Sequence, residues 1–291
     1  FNLIRIMDIT EIDTNLKYFA YNGITLNIEE KSQLELALLK IENESLHDEV
    51  LFWGKINGTV KDYFIALGVN FNGEDKFPSK TFYWCSSTNW NFASMPAVCP
   101  KTAEVVCEFN GLFTGEHSKI LKEGESEEGK ESYTFENGTL VMTNKAKNIT
   151  ELDRLAYVVC QIERQCHLVP EGSLKFTPLH EVRRNEAFVG LCKEDATNLA
   201  KYQHFRKVEF KEKVEQMERD DSVFKHDFLD CIDNDDIKGS WSLHLDTTGS
   251  VANIRNLLWP GFYAYHKVGT TLYSNFYFGD GRKNTDLPFM L

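Results

Sequence analysis

Apolar and polar residues alternate most clearly over 239–268, GSWSLHLDTTGSVANIRNLLWPGFYAYHKV. Trp241, Leu243 and Leu245 point one way and Ser242, His244 and Asp246 the other, the period of a half-buried strand. Thr247-Thr248-Gly249-Ser250 reads as a turn, and a second strand runs over 251–258 to a corner at Trp259-Pro260-Gly261. Aromatic residues resume at Phe262, Tyr263 and Tyr265, and 271–278 alternates again before a Gly279-Asp280-Gly281 turn. Residues 239–268 thus read as the centre of an antiparallel sheet.

The N-terminal half mixes both periods. Ile9, Ile12, Leu16 and Phe19 give a weak helical signal over 1–24. Asn27 followed three residues later by Glu30 is a capping-box pair, and Leu34, Ala37, Leu38 and Ile41 form a core-facing stripe behind it. In VLFWGKINGTVKDYFIALG, 50–68, two apolar runs flank Asn57-Gly58, which predicts a hairpin closed by a two-residue type I′ turn. Strands are expected over 80–87, 104–109, 139–143 and 188–191, with a loop over 89–100. Segment 115–136, rich in glycine and charge, reads as an exposed loop or insertion. Thr150 is expected to cap a helix to about Arg164, with Leu152, Leu155, Val158, Val159 and Ile162 buried. Residues 167–177 read as strand, turn and strand, and 193–202 as an amphipathic helix. Residues 207–238 carry 11 acidic and 6 basic side chains and are assigned to surface helix and loop. Strands do not alternate regularly with helices, so the expected class is α+β: antiparallel sheet with packed helices. An N-terminal helical segment, 1–49, would precede an α+β body, 50–291.

Composition narrows the function classes. Among 291 residues, 42% are hydrophobic and 13% aromatic, enough for a large core. A net charge of −12 argues against general nucleic-acid binding, which needs clustered cations, and suits partners with basic patches. The seven cysteines are odd in number and contain no C-x-x-C pair, so reduced, mostly buried thiols are expected. The apolar stretch 1–6 is shorter than a signal h-region, and no apolar run reaches the roughly 20 residues of a membrane helix. A cytosolic or cytosol-continuous setting is therefore favoured, with Met7 read as the natural start. The four sequons, at Asn43, Asn57, Asn137 and Asn148, would matter only in a secreted glycoprotein.

Candidate chemistry is sparse. Asp230, Asp233, Asp235 and Asp236 cluster, but a calcium loop begun at Asp233 would place Lys238 at the glycine position and His244 at the glutamate position. Cys160, Cys166 and His167 lack a matching second pair of metal ligands, and Gly279-Asp280-Gly281 lacks the helix of a nucleotide fingerprint. No catalytic residue, cofactor or metal is assigned. An intracellular enzyme, its Cys/His/Asp site assembled in space from Cys160, His167 or the 230–236 cluster, is the alternative reading. Trp53, Trp84, Trp241 and Trp259 read as core residues; Trp259, with Pro260, Gly261 and the tail residue Phe289, is alternatively an interface candidate, because aromatic anchors dominate many protein interfaces.

The 50–68 segment, GSWSLHL from 239, NIRNLLWPGFYAYH from 253 and NTDLPFML from 284 resemble the radial spoke head protein 9 family of motile cilia and flagella. LVPEGSLKFTP from 168 and YQHFR from 202 fit in order, so the resemblance runs from about residue 8 to the end. The W-S-x-x-L and R-x-L-L-W-P-G motifs also resemble radial spoke head proteins 4 and 6; the N-terminal hairpin and the LPFML ending set this chain apart. The resemblance implies a non-enzymatic axonemal scaffold made in the cytoplasm. It also implies assembly with spoke head proteins 4/6 and 1, and transient contact with the central-pair apparatus that regulates dyneins and the beat. The departures from the family are the acidic 115–136 insertion and the first seven residues.

Overall fold

The computed structural model describes residues 12–20, 23–71, 76–123, 133–136, 139–142 and 148–290. Met7 and residues 124–132 of the charged 115–136 segment lie outside them. An eight-stranded sheet carries the fold. Its N-terminal half is β1 (Glu49–Ile56), β2 (Tyr63–Asn70), β3 (Ser79–Ser86) and β4 (Asn89–Ser94). Its C-terminal half is β5 (Trp241–Leu245), β6 (Val251–Asn256), β7 (Phe262–Lys267) and β8 (Tyr273–Gly279). Each half is an antiparallel meander, and the strand order across the sheet is β5-β6-β7-β8-β1-β2-β3-β4. The expected α+β class holds, and within this sheet one pairing departs from antiparallel: β1 and β8 run parallel, Gly54 opposite Tyr277 and Ile56 opposite Gly279.

Gly54 makes that junction possible. It follows a bulge at Trp53, has φ +151°, and a Cβ there would sit 2.2 Å from the Tyr277 carbonyl oxygen. Only a glycine lets the two meanders close to hydrogen-bonding distance at this point.

Helices cover both faces of the sheet. Helix α1 (Ile12–Ala20) brings Phe19 against Tyr265 and Phe276, and Phe52 joins the same cluster. Helix α2 (Ile28–Glu44) begins at the expected capping box, the Glu30 carboxylate accepting the Asn27 N–H at 3.0 Å. Its buried residues are the predicted Leu34, Ala37, Leu38 and Ile41. Helix α3 is Pro100–Val106, and helix α4 is Glu151–Cys166. The Thr150–Asp153 capping box opens α4, and Leu155, Val158, Val159 and Ile162 are buried as expected, while Leu152 is half-buried. Trp53, Tyr63 and Tyr277 face α4, alternating along their strands with Phe52, Phe64 and Phe276 on the opposite face.

Several expectations are corrected. Asn57-Gly58 is no two-residue turn: Ile56 pairs with Tyr63, six residues lie between the strands, and neither Asn57 nor Gly58 has positive φ. The loop is shaped by tertiary partners instead. Asn57 donates to the Gly279 carbonyl at 2.9 Å, Thr59 to that of Phe113 at 2.8 Å, and Gly58 to the Asp62 carboxylate at 3.1 Å. The 104–109 strand is replaced by α3, because Pro100 at the first turn starts a helix and Val106 buries against the core. The 89–100 loop contains β4. No strand forms over 188–191. The 193–202 helix breaks into Lys193–Ala196 and a 3-10 turn Leu199–Lys201, since the Asn198 side chain accepts the Ala200 N–H and Tyr202 pairs with Pro170. Of the thiols, Cys85, Cys166 and Cys231 are buried, whereas Cys99, Cys107, Cys160 and Cys192 are exposed, so the expectation of mostly buried thiols is corrected.

Candidate interaction surface

The Trp259-Pro260-Gly261 corner joins β6 to β7. Asn256 sets it by accepting the Trp259 N–H at 2.8 Å, and the Phe262 N–H returns to the Trp259 carbonyl at 3.1 Å. Gly261 adopts φ +105°, and a Cβ there would sit 2.4 Å from the Phe278 carbonyl oxygen, so no larger residue fits between the corner and β8. The Phe278 N–H donates to the Gly261 carbonyl at 2.7 Å, and the Tyr277 hydroxyl donates to that of Pro260 at 3.2 Å.

The four expected interface residues separate into two kinds. Trp259 turns inward: it is 4% exposed, and its indole N–H donates to Gln165 of α4 at 2.9 Å. Gly261 is half-buried beside β8. Pro260 faces solvent, and Phe289 is 90% exposed. The C-terminal segment is tied to the corner through Asn284, whose N–H donates to the Leu258 carbonyl at 2.7 Å. Leu287 is buried as its anchor, which leaves Phe289 and Met290 displayed.

Two carboxylates that sequence patterning passed over hold α4 to the sheet. Glu151, fully buried, accepts from the Tyr63 hydroxyl at 2.8 Å, the Thr114 N–H at 3.0 Å, the Thr114 hydroxyl at 2.6 Å and the Gly115 N–H at 2.8 Å. Burial pushes its carboxyl upward, but those hydrogen bonds outweigh it and the carboxyl is held below its ordinary value. Glu163 accepts from the Trp53 indole at 2.8 Å, Lys80 at 2.6 Å and His167 at 2.7 Å. Burial again works against ionisation, and the neighbouring His167 and Lys80 override it, holding the carboxyl far below the usual range. The readable signal was spacing: Glu151 stands four residues before Leu155 and Glu163 four after Val159, so both border the apolar stripe.

The residues of the enzyme alternative are not brought together. Cys160 is exposed, His167 is engaged by Glu163, and Asp230 pairs with Arg206 at 3.2 Å. Asp235 accepts from the Trp241 indole at 2.7 Å and contacts His204 Nε2 at 2.8 Å. Among the described residues, buried His204 Nδ1 meets no hydrogen-bond partner, so none of them stands as a nucleophile in line with this His–Asp pair. These groups border a polar cleft of about 320 Å³ whose other ionic side chains include Arg164, Arg206 and Glu209. Arg164 and Arg206 both pair with Glu209, at 2.7 Å each. Among the described residues no group of three or more His, Cys, Asp or Glu is arranged to hold a metal ion. No helix among them is long and apolar enough to cross a membrane.

The surface thus displays Pro260 at a braced corner and Phe289 and Met290 on a tethered tail, on a chain of net charge −12. The family model described as "Radial spokehead-like protein" matches residues 5–80. The radial spoke head protein 9 homolog of Danio rerio is 37% identical over 98% of this chain and 100% of its own length. The corresponding homologs of Homo sapiens and Bos taurus are 35% and 34% identical over the same shares. The chain belongs to the radial spoke head protein 9 family.

Proposed function

We propose that this protein is a structural, non-enzymatic subunit of the radial spoke head in the axoneme of motile cilia and flagella. Its near-complete alignment with radial spoke head protein 9 homologs carries the reading. It associates with other spoke components, specifically spoke head proteins 4/6 and 1, and helps pass signals between the central-pair apparatus and the dyneins. The sheet supplies a stiff body. Pro260 and Phe289 offer apolar contact to a neighbouring subunit, while Trp259 and Gly261 hold the corner in shape. Contacts within the head are large and apolar; contacts with the central pair use the acidic exterior and are weak and salt-sensitive, which suits repeated touching.

Deleting the gene should leave cilia present, with abnormal motility and incomplete spoke heads. Normal spokes and a normal beat in the deletion strain would overturn the proposal. For the corner and tail, Phe289→Asp should reduce co-purification with spoke head proteins 4/6 from cilia while leaving the fold unchanged.

A further inference from the structure

Helix α2 has two apolar stripes. Leu34, Ala37, Leu38 and Ile41 fill the core, as their burial shows. On the opposite side Ile28, Leu36 and Leu39 fall within about 80° of one another at 3.6 residues per turn. They are 83%, 64% and 42% exposed. Leu46, just past the helix end, is also exposed. A helix apolar on two sides is ordinarily enclosed on both. Among the described residues the core side alone is covered.

Charge selects what covers the other. Helix α2 bears Glu29, Glu30, Glu35, Glu42 and Glu44 against Lys31 and Lys40. At its N-terminal end lies a cleft of about 590 Å³ lined by Asn27, Glu29, Glu30, Gln33, Ser87 and Trp90. The Trp90 ring is held against Phe64 with centroids 4.6 Å apart. Glu30 is bound to Lys55 at 3.0 Å, and Glu29 stands beside it at the cleft wall. A guanidinium or ammonium group entering this cleft meets an indole and a carboxylate together, a pairing that favours a cation.

We propose that the outer face of α2, with the Trp90 cleft at its N-terminal end, docks a basic amphipathic helix of another protein. Its leucine-type side chains lie on Ile28, Leu36 and Leu39, and a flanking arginine or lysine enters the cleft. The site stands apart from the corner at residues 259–261 and does not rest on spoke membership.

The test uses the purified full chain and a synthetic helical peptide with leucines at i, i+3, i+4 and i+7 flanked by arginines. A twin peptide carries glutamates in place of the arginines. Fluorescence anisotropy should show the basic peptide binding and the acidic twin binding at least about tenfold more weakly. The double variant Leu36→Asp/Leu39→Asp should lose about tenfold or more in affinity, and Glu29→Lys should also weaken binding, with thermal unfolding of both variants unchanged. No binding, equal binding of the two peptides, or equal binding to the parent and the double variant would overturn the proposal. A concentration-dependent dimer of the parent that the double variant abolishes would assign the face to a second copy and overturn it too. Failure of the spoke reading would appear in the deletion strain and leave these outcomes untouched.

Discussion

The two faces of the sheet are covered by different chemistry. On the α2 side the cover is mainly apolar, with Leu34, Leu38 and Ile41 below the helix, the Phe19, Phe52, Tyr265 and Phe276 rings beside it and an α2 ion pair there, Glu30 with Lys55. On the α4 side two buried carboxylates, Glu151 and Glu163, take hydrogen bonds from β1, β2 and β3 and from the loop at Thr114. Apolar contact is non-directional and tolerates small shifts. Charged hydrogen bonds fix position and angle. Helix α4 is therefore locked in register against the N-terminal half of the sheet, and Gln165 bonded to Trp259 extends the lock to the C-terminal half. Helix α2 is held chiefly by buried apolar area and is left with a second apolar side for a partner.

The largest expected effect breaks the lock. Glu163→Ala strands Lys80 in the interior and removes the acceptor of Trp53 and His167, a loss of about 3–5 kcal/mol. Chemical denaturation checks it. A double variant, Glu163→Leu with Lys80→Met, should recover part of that stability, because no unpaired charge remains while Trp53 and His167 stay without an acceptor. If it does not, the network's worth lies in its geometry rather than in paired charge.

On the apolar face, Leu38→Ala removes a side chain 1% exposed and should cost about 2–5 kcal/mol through lost transfer energy and a cavity. It should leave the pH dependence of stability unchanged, whereas Glu163→Ala should alter it. The same response from both variants would erase the distinction between the faces.

A smaller effect sharpens the comparison through pH. His266 follows Tyr265 on β7 and so points away from the α1 side, where it accepts the Leu191 N–H at 3.1 Å. Burial pushes its imidazole down to about 4 from the ordinary 6.5. The unfolded chain therefore binds more protons between about pH 4 and 6.5, and stability falls as pH drops through that window, by at most about 3 kcal/mol. His266→Gln keeps an acceptor for Leu191 and should flatten this slope in thermal unfolding measured across the window. An unchanged slope would show that His266 carries no such load.

Legibility differed by element for physical reasons. The capping box at Asn27 and the cap at Thr150 were readable because the participating residues are near neighbours in the chain; that Asp153 completes a box at Thr150 was not read. The C-terminal strands were readable because alternation is a property of a single strand. The corner was readable as Trp-Pro-Gly and Trp259 as a core residue; that its indole N–H is met by Gln165, 94 residues away, was not. The spacing of Glu151 and Glu163 beside an apolar stripe was visible, but acids in that place are ordinarily solvated, and only their partners from β1, β2 and β3 reveal burial.

Near neighbours in the chain dictated which segments cap as helices, which alternate as strands, and which positions seek the core. How these pieces meet was settled only by packing in three dimensions. Packing joined two meanders by one parallel pairing at Gly54 and Tyr277, although 223 residues separate the partners. It drew Asn57-Gly58 out of a tight turn and onto the Phe113 and Gly279 carbonyl region. Local preferences for a turn are worth a few tenths of a kcal/mol to about 1 kcal/mol, and several hydrogen bonds made at once outweigh them.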